Sequence, residues 1–287
     1  MVTVSILIPC YKSEDTIREC LDSLIHQSFN DLEIVIVEDP PFDSTEKIVE
    51  SLSDKRIKYI KNESRAGLSE SRNITVKNSE GEYLFFIDSD CIASPNWLES
   101  GLQTFQESDC LGVEGKIYYV SENYEPTYSE RVVRNLYGKQ YMTANIAYKK
   151  DIIRVLGGFD RELTCYEDRE IAIRVLNKGK IIFNPSMVVF HKKEIRKPKQ
   201  FLRTGNSSRN MVRIYKKHNF KLDIYWRIMF PFNLLEIVFP PILLLFPFKY
   251  KFKTVDDWIL LLLTWPRLLY ERLCFWDEAI KQKVFLI

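Results

Sequence analysis

Apolar positions in the N-terminal third of the chain fall into short runs separated by helical stripes. Residues 2–8, 32–37, 57–60 and 83–87 are runs of branched and aromatic side chains of strand length. Between them, residues 14–27, 45–52 and 68–77 carry apolar side chains at helical spacing, and in the first of these Ile17, Leu21, Leu24, Ile25 and Phe29 share one stripe, which predicts a core face. Strands joined by single helices of this length predict an α/β fold, a right-handed, mostly parallel sheet with helices on both faces. Beyond Asp90 the rhythm changes: a helix over 97–105, a strand over 111–120, a tyrosine-rich polar stretch over 121–140 that reads as a flexible or substrate-facing loop, and a strand-like 141–148. Gly157-Gly158-Phe159-Asp160 is a turn signal, Glu167-Asp168 opens a helical run over 169–177 that stops at Gly179, and an apolar strand over 187–190 leads to His191.

Charge divides the chain further. The formal net charge is +2, yet residues 1–190 hold 22 Lys+Arg against 31 Asp+Glu and residues 191–287 hold 19 against 8. The division predicts a catalytic domain over 1–200 and a basic, apolar, helical region over 201–287 that associates with a membrane. From His191 to Lys221 there are eleven basic residues and one acidic one, Glu194, and apolar stretches follow at 228–248 and around 258–270. The first is long enough for a bilayer, which takes about 20 residues, but Pro231, Glu236, Pro240, Pro241 and Pro247 interrupt it, so a segment lying in the interface or re-entering it is expected. Trp258, Trp265, Tyr270, Phe275 and Trp276 beside Arg267 and Arg272 have the mix of an interfacial helix, and the basic belt suits an anionic lipid surface. A buried helical lid or a dimer face is the competing reading, which leaves a homo-oligomer open. The belt lacks regularly placed stacking aromatics, so nucleic acid is not expected as a partner. Six scattered cysteines without C-x-x-C or zinc spacing, and a strand that starts at once with no basic leader, place the catalytic part at the cytoplasmic face of the cell membrane.

The chemistry concentrates at strand ends. Asp88-Ser89-Asp90 closes the fourth apolar run, at the carboxyl end of the strand, where open α/β folds bind ligands. Two carboxylates one residue apart can hold a hard cation whose other ligands are water and phosphate, although such pairs also occur in ordinary turns. Pro9 and Tyr11 follow the first run, where an aromatic ring can lie against a nucleobase; Asp39, after the second, can accept a base N–H or cap a helix, as Asp43 could. Glu167 and Asp168 suit a helix N-terminus through its dipole and equally suit proton transfer.

Taken in order, Ser5-Ile6-Leu7-Ile8-Pro9-Cys10-Tyr11, Glu38-Asp39, Asn62 to Asn73 with Gly67 and Arg72-Asn73, Asp88-Ser89-Asp90, Asn145, Gly158-Phe159-Asp160, Glu167-Asp168 with Arg174, and His191 resemble the inverting glycosyltransferases of family 2, with the GT-A fold, over approximately residues 2–191. The resemblance implies a UDP- or GDP-linked sugar donor and a Mg²⁺ or Mn²⁺ ion. It assigns donor contacts to Pro9, Tyr11, Asp39, Arg72 and Asp88, the metal to Asp88, Asp90 and His191, the general base to Asp168, and the acceptor side to Glu167, Asn145 and Tyr166. It implies transfer of a single sugar to a hydroxyl of a lipid-linked or membrane-proximal glycan. Three departures stand out. Asp39-Pro40-Pro41 replaces a frequent Asp-Gly-Ser, Tyr166 replaces a frequent glycine and narrows the acceptor side, and Gln200-Phe201-Leu202-Arg203-Thr204 lacks the tryptophan of the processive synthases' Q-x-x-R-W. Two rivals remain: transfer directly to polyprenyl phosphate, which needs no strong base, and a membrane scaffold that binds nucleotide sugar without turning it over.

Overall fold

The structure is a computed structural model that describes residues 2–218, 224–225, 228–229 and 236–284. The chain divides into two compact units, one of residues 1–122 and 133–192, the other of residues 123–132 and 193–287. The tyrosine-rich stretch is therefore shared: its middle belongs to the second unit.

The first unit runs β1 (Val4–Cys10), α1 (Ile17–Ile25), β2 (Leu32–Glu38), α2 (Thr45–Ser51), β3 (Ile57–Lys61), α3 (Leu68–Lys77), β4 (Tyr83–Phe86), β5 (Cys91–Ala93), α4 (Trp97–Glu107), β6 (Gly112–Tyr119), β7 (Ile146–Lys149), α5 (Lys150–Val155), α6 (Glu167–Leu176) and β8 (Ile181–His191). Its eight-stranded sheet has the order β3-β2-β1-β4-β7-β6-β8-β5. β3, β2, β1 and β4 are parallel, β7 runs antiparallel to β4 and β6, β8 lies parallel to β6, and β5 pairs antiparallel with β8. Alternation along β1 separates two cores: Val4, Ile6 and Ile8 pack with Leu21, Leu24, Phe85 and Trp97, whereas Leu7 packs with Val35, Phe86, Tyr148, Phe159 and Ile171. Each such side chain, fully buried, contributes roughly 1.5–3 kcal/mol, and together they fix where β1, β2 and β4 end.

Three local features differ from the expected elements. The strand at 141–148 is shortened to β7 because the buried Glu114 carboxylate captures the preceding chain: it accepts from Asn135 Nδ2 at 2.8 Å and from the backbone N–H groups of Lys139, Gln140 and Tyr141 at 2.7, 2.8 and 2.6 Å. β8 starts at Ile181, six residues before the expected apolar run, and its pairing with β6 shifts between Gly115 and Lys116. β5 is an added strand, and its register sets Cys91 opposite His191.

The second unit contains α7 (Pro198–Arg203), α8 (Ser208–His218) and the long α9 (Val255–Lys281). α9 starts with a capping box between Thr254 and Asp257. Burial would raise the Asp257 pKa, but the N–H groups of Lys253, Thr254 and Ser129 hold it well below the usual carboxylate range. α8 docks on α9 through Arg213 Nε to Glu278 Oε1 at 2.8 Å and Ser208 Oγ to the Glu271 carbonyl at 2.9 Å. Among the described residues no helix is long and apolar enough to cross a membrane. Residues 219–221 of the basic belt and 230–235 of the first apolar stretch, Pro231 included, lie outside the described residues.

Candidate active site

The segment after β4 is fixed from three sides. Ser89 Oγ meets Ser13 Oγ at 2.8 Å, Cys20 Sγ donates to the Asp88 carbonyl at 3.7 Å, and the Asp90 carbonyl accepts from Lys192 N–H at 2.9 Å. The Asp88 and Asp90 side chains are each about a third exposed, at 33% and 31%. The β5–β8 register brings buried His191 to Asp90, with Nε2 3.4 Å from Oδ2, while Nδ1 lies 2.9 Å from the Lys192 carbonyl. That carbonyl can only accept, so Nδ1 donates to it and Nε2 is the nitrogen that faces the carboxylate. An imidazole nitrogen and a carboxylate oxygen at this separation can both reach one divalent cation. Cys91 Sγ is also near, 3.8 Å from Asp90 Oδ1. Burial first, then the charges of Asp90 and Asp88, keep this thiol's pKa well above its ordinary value, and the oxygen and nitrogen donors beside it suit Mg²⁺ or Mn²⁺.

Arg72 links this strand end to the start of α6. Its buried guanidinium pairs closely with Glu167 through Nη1, reaches Asp88 Oδ1 at 3.5 Å through Nη2, and lies 5.7 Å from the centre of the Phe159 ring. Burial works against its charge, but Glu167, Asp88 and Asp168 more than offset that and raise its pKa. Asp168 is half-buried beside Glu167 and accepts from Arg169 N–H at 2.7 Å. Burial, and then the charge of Glu167, raise its pKa to about 6, with Arg72 opposing. A carboxylate tuned to that value is ionised at neutral pH and still basic enough to take a proton.

The geometry that presents Asp168 comes from unusual backbone. Tyr166 has φ 62°, the left-handed region where glycine sits at no steric cost. Gly157 and Gly158 have φ 76° and 77°, and a Cβ on Gly158 would stand 2.4 Å from Asn73 Oδ1. Asn73 needs that space, because its amide grips both backbone groups of Phe159, the N–H at 2.7 Å and the carbonyl at 2.9 Å. Arg174 secures the same turn, donating to the carbonyls of Leu156 and Gly158 at 2.7 Å each and pairing with Glu170. Arg174 is thus a positioning residue. Alongside, Arg169 Nη2 reaches Gln140 at 3.5 Å, so the loop captured by Glu114 borders the start of α6.

At the β1–β2 side, Asp39 is buried, and its carboxylate accepts from Asn62 Nδ2 at 2.5 Å, Gly67 N–H at 2.7 Å and Ala66 N–H at 3.2 Å. It shapes the 62–67 loop, which carries Arg65 to 4.5 Å from the centre of the exposed Tyr11 ring. Pro9 is half-buried within β1, opposite Val37. The Asn145 expectation needs correction. Its side chain is fully buried: Oδ1 accepts from Trp97 Nε1 at 2.8 Å, and Nδ2 donates to the carbonyls of Met187 and Lys116 at 2.8 and 2.9 Å. Asn145 ties α4, β6 and β8 together and cannot touch an acceptor. Asp88, Asp90, His191, Arg72, Glu167 and Asp168 do come together. Of the residues outside the expected set, Asn73 stood within a recognised motif without a role, and nothing in the spacing marks Ser13; Glu114 is one of the positions around which the loops that decide sugar choice are expected, and its carboxylate holds residues 135–141.

Comparison with known proteins bears on the family and the fold. The chain is 32% identical to glycosyltransferase GlyA of Streptococcus pneumoniae over 145 residues, which is 50% of this chain and 21% of that protein. It is 29% identical to the Escherichia coli UDP-Glc:alpha-D-GlcNAc-diphosphoundecaprenol beta-1,3-glucosyltransferase WfaP, covering 66% of this chain and 76% of that one. The chain spans only 21% and 40% of the two S. pneumoniae relatives GlyA and GlyG. Among solved structures, Staphylococcus aureus TarS 1-349 in complex with UDP superposes with a TM-score of 0.59 at 22% identity, covering 99% of this chain and 92% of that one. The mannosyltransferase PcManGT from Pyrobaculum calidifontis, in complex with GDP-Man and Mn²⁺, gives 0.58 at 15%, covering 96% and 73%. The glycosyl transferase family 2 model matches residues 5–161, more than half of the chain, and with the fold and the assembled strand-end site this shows that the protein belongs to glycosyl transferase family 2.

Proposed function

We propose that the protein is a cation-dependent inverting glycosyltransferase that moves one sugar from a UDP-sugar to a hydroxyl of a lipid-linked glycan. The observation that carries this reading is the Arg72 guanidinium held between Asp88 and Glu167, which sets the carboxylate of Asp168 beside the strand end that bears Asp88 and Asp90. The acceptor oxygen bonds to the anomeric carbon, the bond from that carbon to the diphosphate breaks, and the hydroxyl proton passes to Asp168. Asp88, Asp90 and His191 would hold Mg²⁺ or Mn²⁺, which when bound supplies positive charge to the departing diphosphate. Tyr11 offers a platform for the base, and Asp39 orders the loop that borders it.

UDP as the nucleotide is supported by TarS with UDP bound and by the UDP-Glc named for two E. coli relatives, whose printed acceptor is a diphosphoundecaprenol-linked GlcNAc. A base tuned near neutrality is useful for a hydroxyl and superfluous for an acceptor phosphate. The test offers UDP- and GDP-sugars with three acceptors: a diphosphoundecaprenol-linked GlcNAc, the free sugar and undecaprenyl phosphate. Transfer from a UDP-sugar to the lipid-linked saccharide, with the product anomer opposite to the donor's, is expected. Transfer only to undecaprenyl phosphate, or retention of the donor's anomer, contradicts the reading.

A further inference from the structure

The outward face of α9 is apolar from end to end. Val255, Trp258, Ile259, Leu262, Trp265, Tyr270, Leu273, Trp276 and Ile280 are exposed, with Leu262, Val255 and Leu273 at 78%, 75% and 53%. The opposite face is filled by Leu260, Leu268, Phe275 and Ala279, so the helix already has its core contact and the outer stripe is additional. A second apolar element precedes it: Val238, Phe239, Leu244, Leu245 and Phe248 are exposed, the last at 90%. A soluble surface scatters such residues singly; a continuous row marks something that covers it.

The arrangement identifies the cover. Trp258, Trp265 and Trp276 are spaced by seven and eleven residues, and at about 100° per residue each spacing returns to within about 20° of a whole number of turns. At that spacing the three indoles share one side of a helix of 27 residues, about 40 Å long at 1.5 Å per residue, with Pro266 between the second and third and Trp265 Nε1 donating to the Ile237 carbonyl at 3.1 Å. Leu262 and Leu273 run beside them. A row of tryptophans at one height with aliphatic side chains next to it suits a helix lying flat at the level of lipid headgroups, and does not suit a helix crossing them. Charge favours an anionic surface. The acids of α9 at Glu271, Asp277 and Glu278 are matched by Arg267, by Arg209 with Lys281, and by Arg213, and Lys251 pairs with Glu125; Lys249 and Lys253 stand exposed between Phe248 and Val255, beside one exposed acid, Asp256.

We infer that α9 and the segment 238–248 form a membrane-docking face that lies in the interfacial layer of an anionic bilayer, with the tryptophan row at headgroup depth. The inference rests on the lipid-linked acceptor proposed above and names the surface through which the enzyme meets it. Docking needs no sugar, so the two readings fail separately.

The experiment uses the full chain with vesicles of phosphatidylglycerol and phosphatidylcholine in a one-to-three ratio, and with phosphatidylcholine alone. Co-sedimentation with the anionic vesicles, weakened by salt, is expected, together with quenching of tryptophan emission by lipids brominated near the headgroup. Leu262→Glu and Leu273→Glu, at positions outside the core, should each weaken vesicle affinity tenfold or more while UDP affinity and the circular dichroism melt stay unchanged. Vesicle binding that survives both substitutions, or a wild-type chain that ignores anionic vesicles, overturns the inference. So does a dimer in sedimentation velocity that Leu262→Glu dissociates without altering vesicle binding, since a second copy would then be the cover.

Discussion

Asp168→Asn should raise stability and lower activity in the same protein, because the structure makes the carboxylate costly and the mechanism makes it necessary. The pKa of Asp168 is lifted from 3.8 to about 6, by burial first and then by the charge of Glu167. Between those values the folded state binds the proton more tightly than the unfolded chain does. Stability therefore falls as pH rises from about 4 through about 6, and the loss persists above that window. At about 1.4 kcal/mol per pKa unit the full cost approaches 3 kcal/mol; with the group half-buried, about 1–3 kcal/mol is the working range. Asparagine keeps the acceptor for Arg169 N–H and removes the charge, so the variant should melt a few degrees higher than wild type near pH 8 and at the same temperature near pH 4. Its transfer rate should drop by about 10²–10⁴, the usual contribution of a general base. Wild-type kcat/KM should itself fall as pH drops through about 6. Scanning fluorimetry at both pH values and single-substrate kinetics read this out together. A variant that melts no higher than wild type near pH 8, or that retains a rate within tenfold, refutes the reasoning.

The parts of this site were unequally legible in the sequence. β1 to β4, α1 and α4 announce themselves by apolar periodicity because each buries one face or both on a single sheet, whereas α3 buries Ser69, Ser71, Arg72 and Thr75 and is marked by its place between two strands. β5, three residues long, and α5, six residues long, are too short for any period to show. The first half of β8 is hidden in the sequence because Asn184 and Pro185 interrupt its apolar run, at the place where its pairing with β6 shifts. Within the site, the strand-end carboxylates could be located from the run that delivers them. The pairing of Arg72 with Glu167 joins residues 95 positions apart and is visible only once the chain has folded. Asn145 illustrates the opposite case: its position matched a family motif, and the fold spends its amide on Trp97, Lys116 and Met187. Tyr166 was marked by sequence as a departure from glycine, and its left-handed backbone supplies the physical reason that glycine is frequent there.

Three further outcomes follow from the same geometry. Arg72→Met leaves Glu167 as an uncompensated buried charge and should cost about 3–5 kcal/mol in urea unfolding, with Glu167→Gln in the same chain recovering part of the loss. Gly158→Ala places a Cβ against Asn73 Oδ1 at φ 77° and should cost about 1–3 kcal/mol while lowering transfer through the displaced Asn73 clamp on Phe159, both measurable by melting and kinetics. Tyr166→Gly relieves a left-handed side chain but adds glycine's unfolded-state entropy, so stability should change by no more than about 1 kcal/mol while the range of accepted saccharides widens in an acceptor screen.

The central claim is that a cation held by Asp88, Asp90 and His191 joins the nucleotide diphosphate to the end of β4. Calorimetric titration of UDP into the protein with Mn²⁺ and with chelator measures that link directly. Binding should weaken tenfold or more without the ion, Asp90→Asn and His191→Ala should lose most of the dependence, and Asp168→Asn should bind as wild type does. UDP affinity that is indifferent to Mn²⁺ and unchanged in Asp90→Asn would contradict the account.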